Sequence, residues 1–367
     1  MDLRVNRVEL QRELEACISC VERRTTIPIL SHVRLTGRGD RLEIAGTDLE
    51  VGLRTSCDAE LYEEGVICVE VKNLLEIVRS SVGEEVTLRI DQVGMLTILV
   101  GKTRVKLRGL SGEDFPSMAE VDEGNLVRLL GNEFADTISK IFYAVSHEES
   151  KFQLFGALLE VNEKGCTMVA TDGHRLALST KELNGGGDVG KDIIIPRKAL
   201  SVLHHQFNVP LDLEIKISEH HLSFRMAERE LTCRILEGTF PDYERVISKD
   251  NDKCLTFNKK ELAGVLKRVS LLVGDRSRAV RLVLSNGSAT FEAQNPDLGE
   301  ANEEIIIDYC GPSFTMGVNP DYLQHFLQSC PTDEVRLEVK NATSQMVAYP
   351  VNGTDKRQVC VIMPIRL

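Results

Sequence analysis

The sequence predicts an α+β protein made of three tandem copies of one module, in which two helices pack on an antiparallel sheet. Two sets of matching segments support the repeat. RLEIAGTDLEVGLRT at 41–55 matches CTMVATDGHRLALST at 166–180, and the Phe-Pro dipeptides at 115–116 and 240–241 recur at nearly the same spacing. A period of roughly 120 residues leaves room for three modules in 367 residues.

A weaker third copy, ATFEAQNPDLGEANEE, occupies 289–304, and the third Phe-Pro position would fall near the end of the chain. Polar stretches at 122–124 and 248–252 are typical of domain boundaries. The predicted domains are 1–122, 123–250 and 251–367.

Each predicted module opens with an amphipathic helix, because apolar residues recur there at spacings of three and four. Asn258, with Glu261 three residues later, is typical of a helix N-cap. The residues expected on the buried faces are Leu10, Leu14, Cys17, Ile18 and Val21, then Phe134, Ile138, Ile141 and Val145, then Leu262, Leu266 and Val269.

A second helix is predicted in the middle of each module. Pro196 and Pro320 stand at or near the first turn of two of these helices, where proline is favoured, and Asn319 is placed to cap the third. Alternating strands follow the helices at the same place in each copy: EEVTLRID, LDLEIKIS and DEVRLEVK. The core-facing residues are expected to be Leu74, Leu75 and Val78, then Leu200 and Leu203, then Leu323, Phe326 and Leu327.

The composition restricts the class of protein. The first residues contain no apolar run, so we expect no signal peptide, and no stretch approaches the roughly 18 apolar residues of a membrane-spanning helix. The ten cysteines lie mostly in apolar segments, as expected of free thiols in the reducing cytoplasm. Cys17 and Cys20 form a C-x-x-C pair, but no second pair of ligands follows at a zinc-site spacing, so we expect neither metal nor other cofactor.

The net charge of −12, taken alone, argues against nucleic acid as a partner. Basic residues nevertheless concentrate on the predicted helices, while acidic pairs lie in predicted loops or strand ends. Two chains of three modules could close into a ring of six, with the helices facing DNA phosphates. From charge alone, ordinary solvated helix faces explain the same pattern. The basic residues in question are Arg23, Arg24, Lys72, Arg79, Lys140, Arg197, Lys198, His204, His205, Lys259, Lys260, Lys267 and Arg268.

Five segments resemble the bacterial sliding clamp family, the beta subunits of DNA polymerase III. They are TTIPILSHVRL (25–35), VATDGHRLAL (169–178), IIIPRKAL (193–200), LEGTFPDYERV (236–246) and VIMPIRL (361–367). They occur in the family's order over nearly the whole chain. The resemblance implies a cytoplasmic, nucleoid-associated, non-catalytic protein that forms a head-to-tail homodimeric ring around duplex DNA. It also implies that a clamp loader opens the ring, and that polymerases and repair proteins bind it through short linear motifs.

The resemblance implies a peptide-binding cleft between the second and third domains. Apolar residues such as Leu176 and Met363 would form a wall for leucine or phenylalanine side chains of a partner. Gln153 stands where the family commonly has an aromatic residue, with Lys151 at a nearby basic position, which leaves the specificity of the cleft open. The matching positions are Leu154, Thr171, Gly173, His174, Arg175, Leu176, Pro241, Val246, Val361, Met363, Pro364, Ile365, Arg366 and Leu367.

The same resemblance implies surfaces for DNA and for a second chain. Arg24 matches a basic position that the family uses at DNA, and Arg197 and Lys198 lie on a middle helix of the family's inner wall. Leu271 and Leu272 match an apolar pair at the family's dimer seam. Adjacent exposed leucines would otherwise be an aggregation liability, which favours an interface there.

Two other functions fit parts of the sequence. Asp172, His174 and either Ser146 or Ser179 suggest a hydrolytic triad, but the chain has no G-x-S-x-G elbow and no G-x-x-x-x-G-K phosphate loop. The Thr-Asp pair at 47–48 recurs without the histidine, which favours turn chemistry over catalysis. A three-repeat scaffold that does not bind DNA would share the fold and the cleft.

Overall fold

The computed structural model describes residues 1–22, 25–121, 124–148, 150–162, 165–182, 193–274, 278–351 and 358–367. Within these residues one order of elements occurs three times: a strand, a helix, four strands, a helix and three strands. The predicted fold class, three copies of a two-helix module with antiparallel strands, is therefore confirmed.

The first module contains β1 (Asp2–Asn6), α1 (Arg7–Cys17), β2 (His32–Arg38), β3 (Arg41–Thr47), β4 (Val51–Glu63), β5 (Gly65–Glu70), α2 (Val71–Ser80), β6 (Glu85–Ile90), β7 (Met95–Val100) and β8 (Thr103–Arg108). The second contains β9 (Asn125–Leu130), α3 (Gly131–Ser139), β10 (Gly156–Asn162), β11 (Gly165–Thr171), β12 (Arg175–Glu182), β13 (Ile193–Pro196), α4 (Arg197–Gln206), β14 (Asp212–Ile217), β15 (His221–Met226) and β16 (Arg229–Arg234). The third contains β17 (Lys253–Asn258), α5 (Lys259–Val269), β18 (Val280–Ser285), β19 (Ser288–Asn295), β20 (Gly299–Ile306), β21 (Phe314–Val318), α6 (Pro320–Ser329), β22 (Glu334–Val339), β23 (Met346–Pro350) and β24 (Gln358–Ile362).

Asparagine side chains cap three of the helices. The Asn258 Oδ1 atom accepts the backbone N–H groups of Lys260 and Glu261, at 3.0 and 3.1 Å, and so satisfies two donors that the first turn of α5 leaves free. Asn319 caps α6, as predicted, and its Oδ1 atom accepts the N–H of Asp321 at 3.0 Å. Asn6 caps α1, although no cap was predicted for that helix.

Two predicted helices are shorter than their apolar spacing indicates. α1 ends at Cys17 and α3 ends at Ser139, so the helical prediction is wrong for Ile18, Val21, Ile141 and Val145. After both helices the backbone tightens into bonds between residues three apart, such as Cys20 N to Cys17 O at 3.0 Å and Ala144 N to Ile141 O at 2.9 Å. Val21, Ile141 and Val145 are nevertheless buried. At these positions the spacing of apolar residues indicates burial, not helical structure.

The chain forms two compact units, and the second module contributes to both. The first unit comprises 1–135 and 198–235. Its twelve-stranded sheet includes the run β8-β7-β6-β1-β4-β16-β15-β14-β9. β4 and β16 pair antiparallel, with Leu53 opposite Leu231, and this pairing joins strands of the first and second modules.

The second unit comprises 136–197 and 236–367. It holds an eight-stranded sheet in the order β13-β10-β11-β12-β24-β23-β22-β17 and a four-stranded sheet in the order β20-β19-β18-β21. Here β12 and β24 pair antiparallel, with Leu176 opposite Val361. α5 and α6 pack over an extensive apolar core of this unit, and their predicted core residues are buried.

The ten cysteines are free thiols, of which Cys254 and Cys310 are exposed. Burial raises the pKa of Cys20 and Cys360 to about 12, so these thiols stay protonated at neutral pH. In the part of the chain that the structure describes, no helix is long and apolar enough to span a membrane. The same residues contain no cluster of side chains that could hold a metal ion.

Candidate functional site

The Thr-Asp turn between β11 and β12 is fixed by its own side chains. The hydroxyl of Thr171 donates to the carbonyl of Arg175 at 2.7 Å. The Oδ1 atom of Asp172 accepts the backbone N–H groups of His174 and Arg175, at 2.9 and 3.0 Å. These are the hydrogen bonds of a self-capped turn.

The first copy of this turn, between β3 and β4, has the same geometry. Thr47 donates to the carbonyl of Val51 at 3.0 Å, and Asp48 accepts the N–H of Val51 at 2.7 Å. The residue after each aspartate has a positive φ, 82° at Leu49 and 91° at Gly173. Glycine relieves the cost of this conformation in the second copy only. The aspartates therefore serve the turn, as predicted from their repetition.

An apolar pocket of about 180 Å³ opens beside the second turn. This volume is small beside the roughly 300–1,000 Å³ of sites for whole small-molecule ligands, so it suits an anchoring side chain. Its walls come from the start of β12, the end of β24 and the segment after Phe240. The lining residues are Leu154, Thr171, Gly173, Arg175, Leu176, Pro241, Tyr243, Val246, Val361 and Met363.

The floor of the pocket belongs to a packed core. Leu176 and Val361 are buried in a cluster that also contains Phe240, whereas Met363 is 44% exposed at the rim. The hydroxyl of Tyr243 donates to the Glu160 Oε2 atom at 2.6 Å, which fixes the tyrosine ring as a side wall. An apolar side chain that enters this pocket leaves water for an already ordered apolar surface.

The structure brings together most of the residues predicted for the cleft, but not all. His174 is exposed on the turn, where its carbonyl accepts the N–H of Met363 at 3.0 Å. The last four residues, 364–367, line a different cavity of about 470 Å³, beside Gly317. Tyr243 also lines the pocket and was not predicted, although it lies between Pro241 and Val246 in the segment LEGTFPDYERV.

The positions that depart from the family pattern lie beside the pocket, around the 3₁₀ turn Phe152–Leu154. Lys151 pairs with Glu148, its Nζ lying 2.9 Å from the Oε2 atom. Gln153 replaces the expected aromatic residue, but the neighbouring Phe152 is 69% exposed. An aromatic side chain is thus present one position earlier.

The residues suggested for a hydrolytic triad are used for structure. The second carboxylate oxygen of Asp172 accepts the Nε–H of Arg175 at 3.0 Å. The hydroxyl of Ser146 accepts the N–H of Glu148, and Ser179 is buried within β12. In the described part of the chain no hydrogen bond joins either serine to His174, so the structure gives no support to the triad alternative, against which the sequence already argued.

The basic residues predicted to face DNA are partly engaged within the chain, and Arg24 lies outside the described residues. Arg197 donates to the Val145 carbonyl at 2.8 Å and lies over the ring of Phe142. The ammonium of Lys198 donates to the Cys20 carbonyl at 2.9 Å and pairs with the Asp48 carboxylate. The exposed helical lysines are Lys72, Lys260 and Lys267.

The predicted interface leucines lie on the 3₁₀ turn Ser270–Leu272 after α5. Leu271 is 73% exposed, whereas Leu272 is partly buried against the core under α5 and α6. One leucine of the pair is therefore available to a partner.

Comparison with known proteins gives a consistent result along the whole chain. Models of the DNA polymerase III beta subunit match its N-terminal domain at 1–119, its central domain at 128–242 and its C-terminal domain at 244–366. The beta sliding clamps of Pseudomonas putida and Caulobacter vibrioides are 32% and 34% identical to the chain, and each alignment covers 100% of both proteins. The crystal structure of the sliding clamp of Pseudomonas aeruginosa bound to griselimycin matches with a TM-score of 0.94 at 30% identity, again over 100% of both chains.

Proposed function

The chain belongs to the DNA polymerase III beta subunit family of sliding clamps, which are non-catalytic processivity factors of DNA replication, and from this premise we propose how it assembles and holds its partners. Two copies close head to tail into a ring around duplex DNA. The apolar pocket beside the second Thr-Asp turn binds short linear motifs of the polymerases, the clamp loader and repair proteins. The assembly works in the cytoplasm, at the nucleoid.

We also propose that the module boundaries lie at 1–122, 123–250 and 251–367. The family matches at 1–119 and 128–242 fall inside the first two modules. The third match begins at 244, slightly before the third proposed boundary.

Strand pairing between modules supports ring closure. β4 of the first module pairs with β16, the last strand of the second, and β12 pairs in the same way with β24, the last strand of the third. The corresponding strands that remain are β20 in the third module and β8 in the first, and each lies at an end of its described sheet. Pairing of β20 with β8 of a second copy repeats the same junction, and applied twice it joins six modules in a closed circle.

The charges on these two strands are complementary. Arg104, Lys106 and Arg108 alternate along β8 and are exposed. Glu300 and Glu304 are exposed along β20. Opposite charges on adjacent strands favour pairing and fix the direction of association. The turn that carries Leu271 packs against β20, so this leucine would be covered in the same contact.

DNA binding is proposed for the helical side of the ring. A lining that contains Lys72, Lys260 and Lys267 attracts phosphates without reading bases, and the net charge of −12 of the whole chain opposes adventitious adsorption. Arg24 remains a proposed DNA contact. Because the partners of Arg197 are uncharged, we propose that it contributes positive potential, whereas Lys198 would contact a phosphate in exchange for Asp48.

The observation that carries the partner-binding proposal is the apolar pocket itself. Its floor is a packed core and its rim is the exposed side chain of Met363, so it can receive an apolar side chain of a partner. A fully buried leucine or phenylalanine contributes about 1.5–3 kcal/mol. The thioether of Met363 adapts to different side chains, which suits a surface that receives several partners.

The test is fluorescence anisotropy with a labelled, blocked peptide that carries adjacent leucine and phenylalanine residues. We expect saturable binding by the full-length protein. Met363→Asp should weaken binding about tenfold or more, because a charge must then be desolvated beside the anchor. Val93→Asp, a matched change at an exposed valine in the β6–β7 turn, should leave the affinity unchanged. Failure of the wild-type protein to bind, or equal binding by Met363→Asp, would contradict the proposal.

A further inference from the structure

We propose that His325 is a positioning residue for the pocket: in its neutral form it holds Arg175 against the wall, and its protonation releases that arginine, so that peptide affinity falls in acid. This inference rests on the peptide-binding role proposed above. It adds a pH-dependent element to that role, carried by a residue outside the pocket lining.

The Arg175 guanidinium has defined partners on two sides. Its Nε atom lies 3.0 Å from the Asp172 Oδ2 atom, and its Nη1 atom lies 2.8 Å from the His325 Nδ1 atom. An arginine side chain only donates hydrogen bonds, so Nδ1 must be an acceptor. His325 is therefore neutral here, with its proton on Nε2, and a second proton would remove the acceptor.

Aromatic rings restrict where the guanidinium can lie. Its central carbon is 4.4 Å from the ring centroid of Tyr322 and 5.4 Å from that of Tyr143. The His325 ring stacks on Tyr143, with centroids 6.0 Å apart and planes at 20°. Arg175 is consequently only 8% exposed although it lines the pocket. The guanidinium cannot move away from His325 without leaving this stack.

The charges around His325 oppose its protonation. Burial and then the positive charge of Arg175, on β12, lower the pKa of His325, while Asp321 on the same helix acts in the opposite direction. Asp172 lies on the far side of Arg175 and is already occupied by that arginine and two backbone N–H groups. No further carboxylate among the described residues acts on His325.

The tyrosines and the buried thiol of this region are neutral at the pH values of interest. Burial raises the pKa of Tyr143, which stacks on His325, well above its usual value. Burial likewise raises the pKa of Tyr322, and it raises that of Cys360, on β24 next to Tyr143, to about 12. This leaves His325, among the groups of this cluster in contact with Arg175, as the one that can gain a proton on acidification.

Protonation of His325 would place two cations at hydrogen-bond distance in a mostly buried site, which drives Arg175 away from its position in the wall. A bound peptide needs the intact wall and therefore favours neutral His325. Peptide and proton then compete, and by linkage the peptide affinity decreases as the pH falls below the pKa of His325.

A second arginine–histidine pair provides a matched control. The Arg197 Nη2 atom lies 3.1 Å from the His147 Nε2 atom, and the positive charge of Arg197, followed by burial, lowers the pKa of His147. Neither residue lines the pocket. His147 thus has the same chemistry and also feels the charge of Arg175, but it neither hydrogen-bonds to Arg175 nor lines the pocket.

The experiment measures the Kd of the same blocked Leu-Phe peptide, free of titratable side chains, from pH 7.5 to 5.0 at constant ionic strength. Circular dichroism defines the pH range over which each protein stays folded. For the wild type we expect the Kd to rise about tenfold, the effect of one unit of pKa difference between free and bound protein. His325→Gln keeps an acceptor but does not titrate, so its Kd should change less than about twofold. His325→Leu lacks the acceptor and should bind weakly at pH 7.5.

His147→Gln and His174→Gln should both retain the pH dependence of the wild type. An unchanged pH profile in His325→Gln, loss of the dependence in either of the other two variants, or wild-type affinity of His325→Leu at pH 7.5 would overturn the assignment. Absence of peptide binding by the wild type at every pH would instead overturn the proposed function of the pocket. The two failures are therefore distinguishable.

Discussion

Glu13 is a carboxylate on α1 that is only 2% exposed, and its charge is matched by hydrogen bonds. The Arg229 Nε and Nη2 atoms lie 2.9 and 3.1 Å from its two oxygens, and the Thr55 hydroxyl donates to it at 2.7 Å. This bidentate contact joins α1 to β16, and these two elements belong to different modules of the same compact unit. A buried pair of this kind adds little over apolar packing while intact, but removal of one member leaves the other charge unpaired.

We therefore predict that Glu13→Gln destabilises the protein by about 3 kcal/mol at pH 7 in urea unfolding followed by circular dichroism. Burial raises the pKa of Glu13, but the hydrogen bonds from Arg229 and Thr55 outweigh it and leave the pKa lowered. The stabilisation is thus present above the unfolded-state pKa of about 4.3 and is lost as the pH falls through the folded-state pKa. Glu9→Gln, on the same helix, should cost at most about 0.5 kcal/mol. Equal stability of the two variants would refute the role of Glu13.

Individual pocket residues could be named from the sequence where they lie in continuous motifs, although the last four residues of one such motif line a different cavity. Leu176 and Val361 lie in quoted segments and line one wall. The pairing of Arg175 with His325 could not be predicted, because it joins residues 150 positions apart. The local sequence does not specify which distant side chain a buried arginine meets. The engagement of Lys198 by Asp48 escaped prediction for the same reason.

At the scale of elements, the helix starts depend on their caps. Asn258→Ala should cost about 1 kcal/mol, because the first-turn N–H groups of Lys260 and Glu261 lose their acceptor. Asn258→Asp keeps an acceptor and adds a charge that is favourable at a helix N-terminus, so it should be at least as stable as the wild type. Urea unfolding of both variants distinguishes a capping role from a general sensitivity of this position. Equal losses of stability in the two variants would exclude the capping role of Asn258.

The starts of α5 and α6 were predicted from their capping asparagines, but the ends of α1 and α3 were not predicted. A capping asparagine is visible in the sequence, whereas the change to tighter turns after α1 and α3 leaves the apolar spacing almost intact. Ile141 and Val145 continue the pattern of α3 although they lie beyond its end. Burial selects for apolar residues in either conformation, so periodicity alone cannot mark the end.

The segment that follows the Phe-Pro dipeptide borders a pocket in the second module but not in the first. The segment after Phe240 frames the pocket, with Tyr243 held aside by Glu160. In the first module, Met118 reaches over Gly52, and its methyl group would lie 2.4 Å from a Cβ atom there. Gly52 holds the place that Leu176 holds in the second copy of the turn. In the second module Leu176 and Tyr243 therefore line an open pocket. At the same place in the first module, the side chain of Met118 fills the space beside Gly52.

At the scale of the whole molecule, internal repetition made the fold class accessible to prediction. Three copies of one pattern reinforce each other, so a weak copy such as 289–304 is identified by its position. The joining of β4 to β16 and of β12 to β24 was not predicted, because alternating strands do not specify their neighbours. These pairings supply the argument for the head-to-tail ring, and family membership removes the alternative of a scaffold that does not bind DNA.

The ring proposal makes a prediction that only head-to-tail pairing of β8 with β20 satisfies. The double variant Arg104→Glu, Lys106→Glu reverses the charge of β8, and Glu300→Lys, Glu304→Lys reverses that of β20. Each alone should sediment near the chain mass of 40.9 kDa, because like charges then face each other across both junctions of a homodimer. An equimolar mixture should recover the dimer, since one junction then joins two reversed strands and the other joins two unaltered ones. Arg128→Glu on β9, the other end of the twelve-stranded sheet, should leave the wild-type dimer intact. Dimers of either double variant alone, or no recovery on mixing in analytical ultracentrifugation, would contradict this junction.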